Sequence, residues 1–146
     1  MHGDFATPRW LYDLLDAEFH FDFDPCPLHS TFDGLSPECK WGKSNYINPP
    51  YSRKLKEAFI RRAYQESLRG SICVMLLPVS TSTKIFHEII HPNAEIRFLR
   101  GRPKFIWVND AGERVDDKTG QHDSMIVIFN RKLPHPGCCI RRGNRD

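Results

Sequence analysis

Asn48-Pro49-Pro50-Tyr51 is the stretch of this 146-residue chain whose residue types answer a single chemical need. Presenting a planar exocyclic amino group for methylation takes acceptors for its two hydrogens and an aromatic surface for the ring that carries it. The side-chain oxygen of Asn48 is one acceptor. The carbonyl of Pro49 can be the second, because prolines fix φ and offer no competing N–H. Tyr51 is the aromatic surface. Asn, Pro and Pro are also ordinary turn residues, so the setting decides what they do. A second candidate is Asp24, which ends a short alternating run and precedes Pro25 and Cys26. A carboxylate at the carboxyl end of a strand can accept from an ammonium group or from ribose hydroxyls.

The elements around these residues suit a binding site. Tyr46 and Ile47 form a short apolar approach to Asn48, and a helical pattern begins after Tyr51, which gives strand, rigid loop and helix. In that helix Leu55, Ala58, Phe59, Ala63 and Tyr64 share one face, while Arg53, Lys54, Lys56, Arg61 and Arg62 lie on the other. Residues 71–79 are a continuous apolar run between Gly70 and Pro78, as expected of a central strand buried on both faces. Upstream, Thr7 reads as a helix N-cap with Pro8 at the first helical position. Trp10, Leu11, Leu14 and Leu15 then form the inward face of a helix to about residue 18. Phe19, Phe21 and Phe23 alternate with polar residues at strand period. Residues 28–43 read as a loop. Residues 80–90 read as a helix, residues 94–99 and 125–129 as strands, residues 100–105 as a basic turn, and residues 108–122 as a polar connection. The order predicts an α/β domain over residues 1–133, with a mostly parallel sheet, helices on both faces and an antiparallel C-terminal strand. A basic, flexible tail covers residues 134–146.

Composition narrows the class. A hydrophobic content of 40% with 12% aromatics supports a real core and excludes disorder. The net charge of +3 permits a nucleic-acid partner without requiring one. No apolar run is long enough to span a membrane, and the first residues do not resemble a signal peptide, so a cytoplasmic protein is expected. Five cysteines form no CxxC pair, which points to reduced thiols. Cys26, His29 and Cys39 fit no standard zinc spacing, and no metal is expected. His29, His87, His91 and His122 read as surface or loop residues.

On Thr7-Pro8-Arg9-Trp10-Leu11, Phe21-Asp22-Phe23-Asp24-Pro25-Cys26, Asp33-Gly34-Leu35, Trp41, Asn48-Pro49-Pro50-Tyr51-Ser52, Met75-Leu76-Leu77-Pro78 and Arg100-Gly101-Arg102-Pro103-Lys104-Phe105, the chain resembles the phage-type DNA N6-adenine methyltransferases. This is a Dam-like group of small S-adenosylmethionine enzymes, and the resemblance covers residues 5–129. It implies a Rossmann-like methyltransferase fold and transfer of a methyl group from S-adenosylmethionine to adenine N6 of a base turned out of the DNA. It implies that Asn48, Pro49, Pro50 and Tyr51 are catalytic. It further implies cofactor contacts at Thr7 and Pro8, at Asp24, Pro25 and Cys26, and at Asp33. The setting it suggests is a bacterial cell in which phage or prophage DNA is shielded from restriction.

The chain departs from full-length methyltransferases between Asp24 and Asn48, which are 24 positions apart. One parallel crossover takes about a dozen residues, so two additional strand–helix units cannot fit and the fold must be abridged. The loop with Asp33, Leu35 and Trp41, or a second copy of the chain in a homodimer, has to complete the adenine pocket. Arg53, Lys54, Arg100, Arg102 and Lys104 are the expected DNA contacts, with Arg141, Arg142 and Arg145 as non-specific attraction. Two other readings fit the tetrapeptide less closely. One keeps the chemistry on RNA adenine or a protein glutamine amide, and the other is a non-catalytic nucleic-acid-binding module.

Overall fold

In the computed structural model, which describes residues 5–102, 104–108, 114–119 and 123–131, the apolar run becomes β3 (Ile72–Pro78), the centre of a four-stranded sheet. β2 (Ser44–Ile47) pairs parallel to it, with Ser44 opposite Ile72 and Ile47 opposite Met75. On its other side β7 (Ser124–Phe129) pairs antiparallel along the whole of β3, and β4 (Glu95–Phe98) pairs antiparallel to β7. The order is β2-β3-β7-β4. Three strands therefore run one way, and the expected antiparallel C-terminal strand is β7, inserted between β3 and β4.

Strand alternation divides the core into two layers. Cys73, Met75 and Leu77 of β3, with Met125, Val127 and Phe129 of β7, pack against Phe59, Ile60 and Ala63 of α2 (Arg53–Leu68). The same layer receives Ile85, Phe86 and Ile90, from a helical stretch whose π-helical turn Phe86–Ile90 runs into α3 (His91–Asn93). Val74, Leu76, Ile126 and Ile128 face the opposite side and meet Leu11, Leu15 and Phe19 of α1 (Arg9–Phe19). Arg97 of β4 fastens α1 from its C-terminal end. It bonds both carboxylate oxygens of Glu18, at 2.7 and 2.8 Å, and lies over the Phe19 ring.

Four expectations need correction. Pro8, in extended conformation, is the N-cap of α1, so Thr7 lies one residue outside the helix and does not cap it. The inward face of α1 is Leu11, Leu15 and Phe19, while Trp10 and Leu14 are 59% and 64% exposed. A helical stripe of four apolar residues was wider than the sheet surface it covers. Phe19 closes the helix instead of starting a strand. Only Phe23 of the alternating run makes a strand-type bridge, parallel to Asn45, flanked by hydrogen bonds from Asp22 N–H to Ser44 O and from Tyr46 N–H to Phe23 O. Finally, residues 104–108 and 114–119 are not turn and connection. They are β5 (Lys104–Val108) and β6 (Arg114–Thr119), an antiparallel pair. β1 (Phe5–Ala6) joins β5 to complete a second, three-stranded sheet. The tail at 134–146, with Arg141, Arg142 and Arg145, lies outside the described residues.

Candidate active site

Because β2, β3, β4 and the extended residues 21–24 all run in one direction, their carboxyl ends lie along one edge of the sheet. Asp24, Asn48, Val79 and Leu99 mark that edge. Open α/β sheets bind ligands there, because the strand-to-helix loops leave a crevice. A pocket of about 180 Å³ opens at this edge, lined by Thr7, Arg9, Tyr12, Asp24, Cys26, Leu28, Tyr46 and Asn48. It gathers side chains from the start of α1, the end of residues 21–24 and the end of β2.

A hydrogen-bonded group forms one wall. The Thr7 hydroxyl lies 2.5 Å from the Tyr46 hydroxyl, and the Asn48 amide nitrogen donates to Thr7 Oγ1 at 3.3 Å. This fixes the Asn48 amide with Nδ2 toward Thr7 and Oδ1 on the opposite corner. The bonds span 39 and 41 positions of sequence. Tyr46 and Asn48 reach the same face because they are two apart on a strand. Burial raises the pKa of the Tyr46 phenol above its ordinary value, against the opposing effect of the Thr7 hydrogen bond, so it stays protonated. Its ring packs edge-on to Tyr12 at 5.2 Å, and Phe21 closes the cluster. Burial, with Asp16 and Asp24 nearby, raises the Tyr12 phenol as well.

Asp24 supplies the negative charge. Its Oδ1 accepts from the Cys26 backbone N–H at 2.8 Å, which folds the Asp-Pro-Cys sequence into a tight turn. Burial pushes the carboxyl up to about 6, and the Cys26 hydrogen bond only partly offsets this. The group is therefore ionised near neutrality at a cost that a bound cation would relieve.

Residues 28–43 carry no helix or strand, and they are nonetheless anchored. A Cβ on Gly34 would sit 1.8 Å from the Pro25 carbonyl oxygen, so the loop meets the Asp24 turn at a point only glycine allows. The Trp41 indole N–H donates to Gly34 O at 2.8 Å. Arg62 of α2 lies 4.9 Å from the Trp41 ring centre and donates to the carbonyls of Ser36 and Cys39 at 3.3 and 2.6 Å. Arg62, Trp41, Gly34 and Pro25 thus form one continuous support behind Asp24.

Of the residues expected at the site, Thr7, Asp24, Cys26 and Asn48 line the pocket together. Pro8, Pro25 and Pro49 are buried behind it, and Pro50 and Tyr51 are half-buried outside its lining. Burial raises the Tyr51 phenol above its ordinary value. Asp33 is exposed and does not line the pocket; its Oδ1 accepts from Leu35 N–H. Arg53, Lys54, Arg100 and Arg102 are exposed near the same edge, Arg53 paired with Glu57 and Arg102 with Asp123. Lys104 begins β5. Sequence reasoning missed Arg9, Tyr12, Leu28 and Tyr46 as lining residues. Period two from Asn48 could have found Tyr46, and helical spacing from Arg9 could have found Tyr12.

The chain is similar to known proteins along most of its length. The model of the family described as DNA N-6-adenine-methyltransferase (Dam) matches residues 2–146. A DNA N-6-adenine-methyltransferase of Escherichia phage T1 is 26% identical over 154 aligned residues, covering 88% of this chain and 62% of that protein. The chain therefore spans under two thirds of the length of that relative. No solved structure matches the chain.

Proposed function

The chain belongs to the DNA N-6-adenine-methyltransferase (Dam) family, and from that premise we propose that it methylates adenine N6 in DNA with S-adenosylmethionine as donor, on an abridged Rossmann-like domain. The observation that carries this reading is the convergence of Thr7, Asp24 and Asn48 on one pocket at the carboxyl edge of the sheet. S-adenosylmethionine bound there would supply an electrophilic methyl group on a sulfonium centre.

The lining fits the amino-acid end of such a donor. Asp24 is a carboxylate near neutral pH and complements an ammonium or sulfonium charge, while the hydroxyls of Thr7, Tyr12 and Tyr46 are positioned for polar contacts. At about 180 Å³ the pocket is smaller than the usual site for a drug-sized ligand, about 300–1,000 Å³, so in this reading the nucleoside end extends beyond it. On the substrate side Asn48 Oδ1 and the Pro49 carbonyl accept the two hydrogens of the adenine amino group, which directs its lone pair toward the methyl group. Thr7, by holding Asn48 Nδ2, keeps Oδ1 from rotating away. Orientation of this kind is the main catalytic contribution required, because the amino proton becomes acidic only after nitrogen is methylated. Tyr51 stacks on the flipped base, a contact worth roughly 1–3 kcal/mol. Arg53, Lys54, Arg100, Arg102 and Lys104 neutralise phosphates along the rim.

Nucleoside mass spectrometry of DNA from a methylation-free bacterial host tests the reading. Cells expressing the chain should contain N6-methyladenine, and cells expressing Asn48→Ala should lose at least about 100-fold of it, the scale of an orienting hydrogen bond in the transition state. Soluble protein with no N6-methyladenine in DNA would refute the reading and direct attention to RNA adenine or a glutamine amide.

A further inference from the structure

The loop after β3, residues 79–83, leaves the sheet beside the strand that ends at Asn48, and the helical stretch that follows begins with Lys84. Thr83 shapes this loop, donating to Ser80 O at 3.0 Å and accepting from Phe86 N–H at 3.3 Å. Thr81, Ser82 and Lys84 are exposed. Among the described residues Arg9, Arg53, Arg62, Arg69, Arg97 and Arg102 pair with carboxylates. Among the described residues Lys54, Lys84 and Arg100 make no ion pair, nor do Lys43 and Arg61 elsewhere, and Glu88, one turn beyond Lys84, does not pair with it. Lys54, Lys84 and Arg100 follow the carboxyl ends of β2, β3 and β4 in turn. With neighbouring strands about 4.8 Å apart, the ends of β2 and β4, three spacings apart, lie about 14 Å from each other. Exposed positive charge along one edge of the sheet, with two hydroxyls beside the middle cation, is complementary to a phosphate backbone.

We propose that residues 81–84 form a phosphate-binding element for the target DNA, with Lys84 neutralising a backbone phosphate and the Thr81 and Ser82 hydroxyls donating to its oxygens. The element lies between the rim cations expected from the sequence and makes them one continuous surface. It rests on the reading of the site as one that acts on DNA.

The test is fluorescence anisotropy of a labelled duplex with the full chain at several salt concentrations, comparing Lys84→Gln with Lys43→Gln. Lys43 is an exposed cation at the amino end of β2, so its loss changes net charge equally on the opposite edge. Lys84→Gln should weaken binding several-fold and lower the slope of log K against log salt by roughly 0.9, the contribution of one phosphate contact. Thr81→Ala with Ser82→Ala should weaken binding and leave the slope unchanged, since no charge is lost. Lys43→Gln should do neither. Equal slopes for Lys84→Gln and Lys43→Gln, with the unmodified chain binding DNA and forming N6-methyladenine, would overturn the phosphate element and leave the proposed activity standing. A chain that binds no DNA and forms no N6-methyladenine would overturn both.

Discussion

The wall that supports Asp24 and the cations that follow the strand ends belong to one side of the molecule and are built on opposite principles. The wall is a chain of enclosed contacts in which each link satisfies the next: Arg62 holds Trp41 and two loop carbonyls, Trp41 holds Gly34, and Gly34 lies against Pro25. The rim is a row of exposed cations, several without a partner among the described residues. Buried hydrogen bonds are costly to break because the abandoned group keeps its desolvation penalty. Exposed charges cost little to change, and their value appears only when a polyanion arrives. Under the proposed function, a site that holds a small donor in one pose and admits DNA of variable sequence would have use for both.

Breaking the wall should therefore produce the largest effects on the free protein. Gly34→Ala forces a methyl group into the Pro25 carbonyl, which must move the turn carrying Asp24. A loss of about 3 kcal/mol or more is expected, at the upper end for overpacking, with a matching fall in thermal midpoint and loss of donor binding by calorimetry. Arg62→Ala should cost about 2–3 kcal/mol, because the carbonyls of Ser36 and Cys39 lose their donor together and Glu66 is left with Arg69 alone. Arg62→Lys, which keeps the charge without the planar fork, should recover only part of it. If Arg62→Ala melted like the unmodified chain, the distinction between wall and rim would fail at its central link.

Asp24 sharpens the comparison, because it sits in the wall and acts like the rim. Its folded pKa, about 6, lies above the value of 3.8 for a free aspartate, and burial is the cause. The folded chain thus binds the proton more tightly, so stability is gained as pH falls through about 6 toward 3.8 and is lost as pH rises through 6. Affinity for a cationic donor runs the other way, since it needs the carboxylate. Asp24→Asn keeps the Cys26 hydrogen bond and should raise stability at pH 7.5 by about 1–2 kcal/mol, allowing for pocket water. It should weaken donor binding at the same time. Melting curves at pH 5 and 7.5 check the sign: the gap between variant and parent should shrink at the lower pH.

How much of this was readable in the chain depended on range. β3 was legible because a strand buried on both faces needs no partner to be recognised, and Asn48 because its prolines advertise a rigid strand end. Asp24 was legible as the end of an extended run, although that run makes one bridge instead of a full ladder. Thr7 was assigned a local capping role, while its hydroxyl is taken by residues 39 and 41 positions away, and no local pattern encodes that. Arg62 looked like one more cation on a solvated helix face. Its role depends on Trp41, which a loop of unknown path brings to it. β5 and β6 mix charged and apolar residues without clean alternation, and β5 takes its place partly from pairing with β1 at the other end of the chain.

The smallest expected effect tests the rim from its paired side. Arg53, itself largely exposed, meets the half-buried Glu57 across one helical turn at 3.3 Å. Such pairs are worth only about 0.3–0.5 kcal/mol, so Arg53→Gln should leave the thermal midpoint nearly unchanged. In the reading proposed here Arg53 exchanges a carboxylate for a phosphate when DNA binds, and part of the new interaction offsets the one given up. Its loss should therefore lower affinity for DNA by less than the loss of unpaired Lys84, while reducing the salt slope. Glu57→Gln makes the opposite change, releasing Arg53 from competition, and should tighten binding about twofold at low salt. Equal affinities for Glu57→Gln and the parent would mean that the pair is irrelevant to DNA, and that the rim works through its free cations alone.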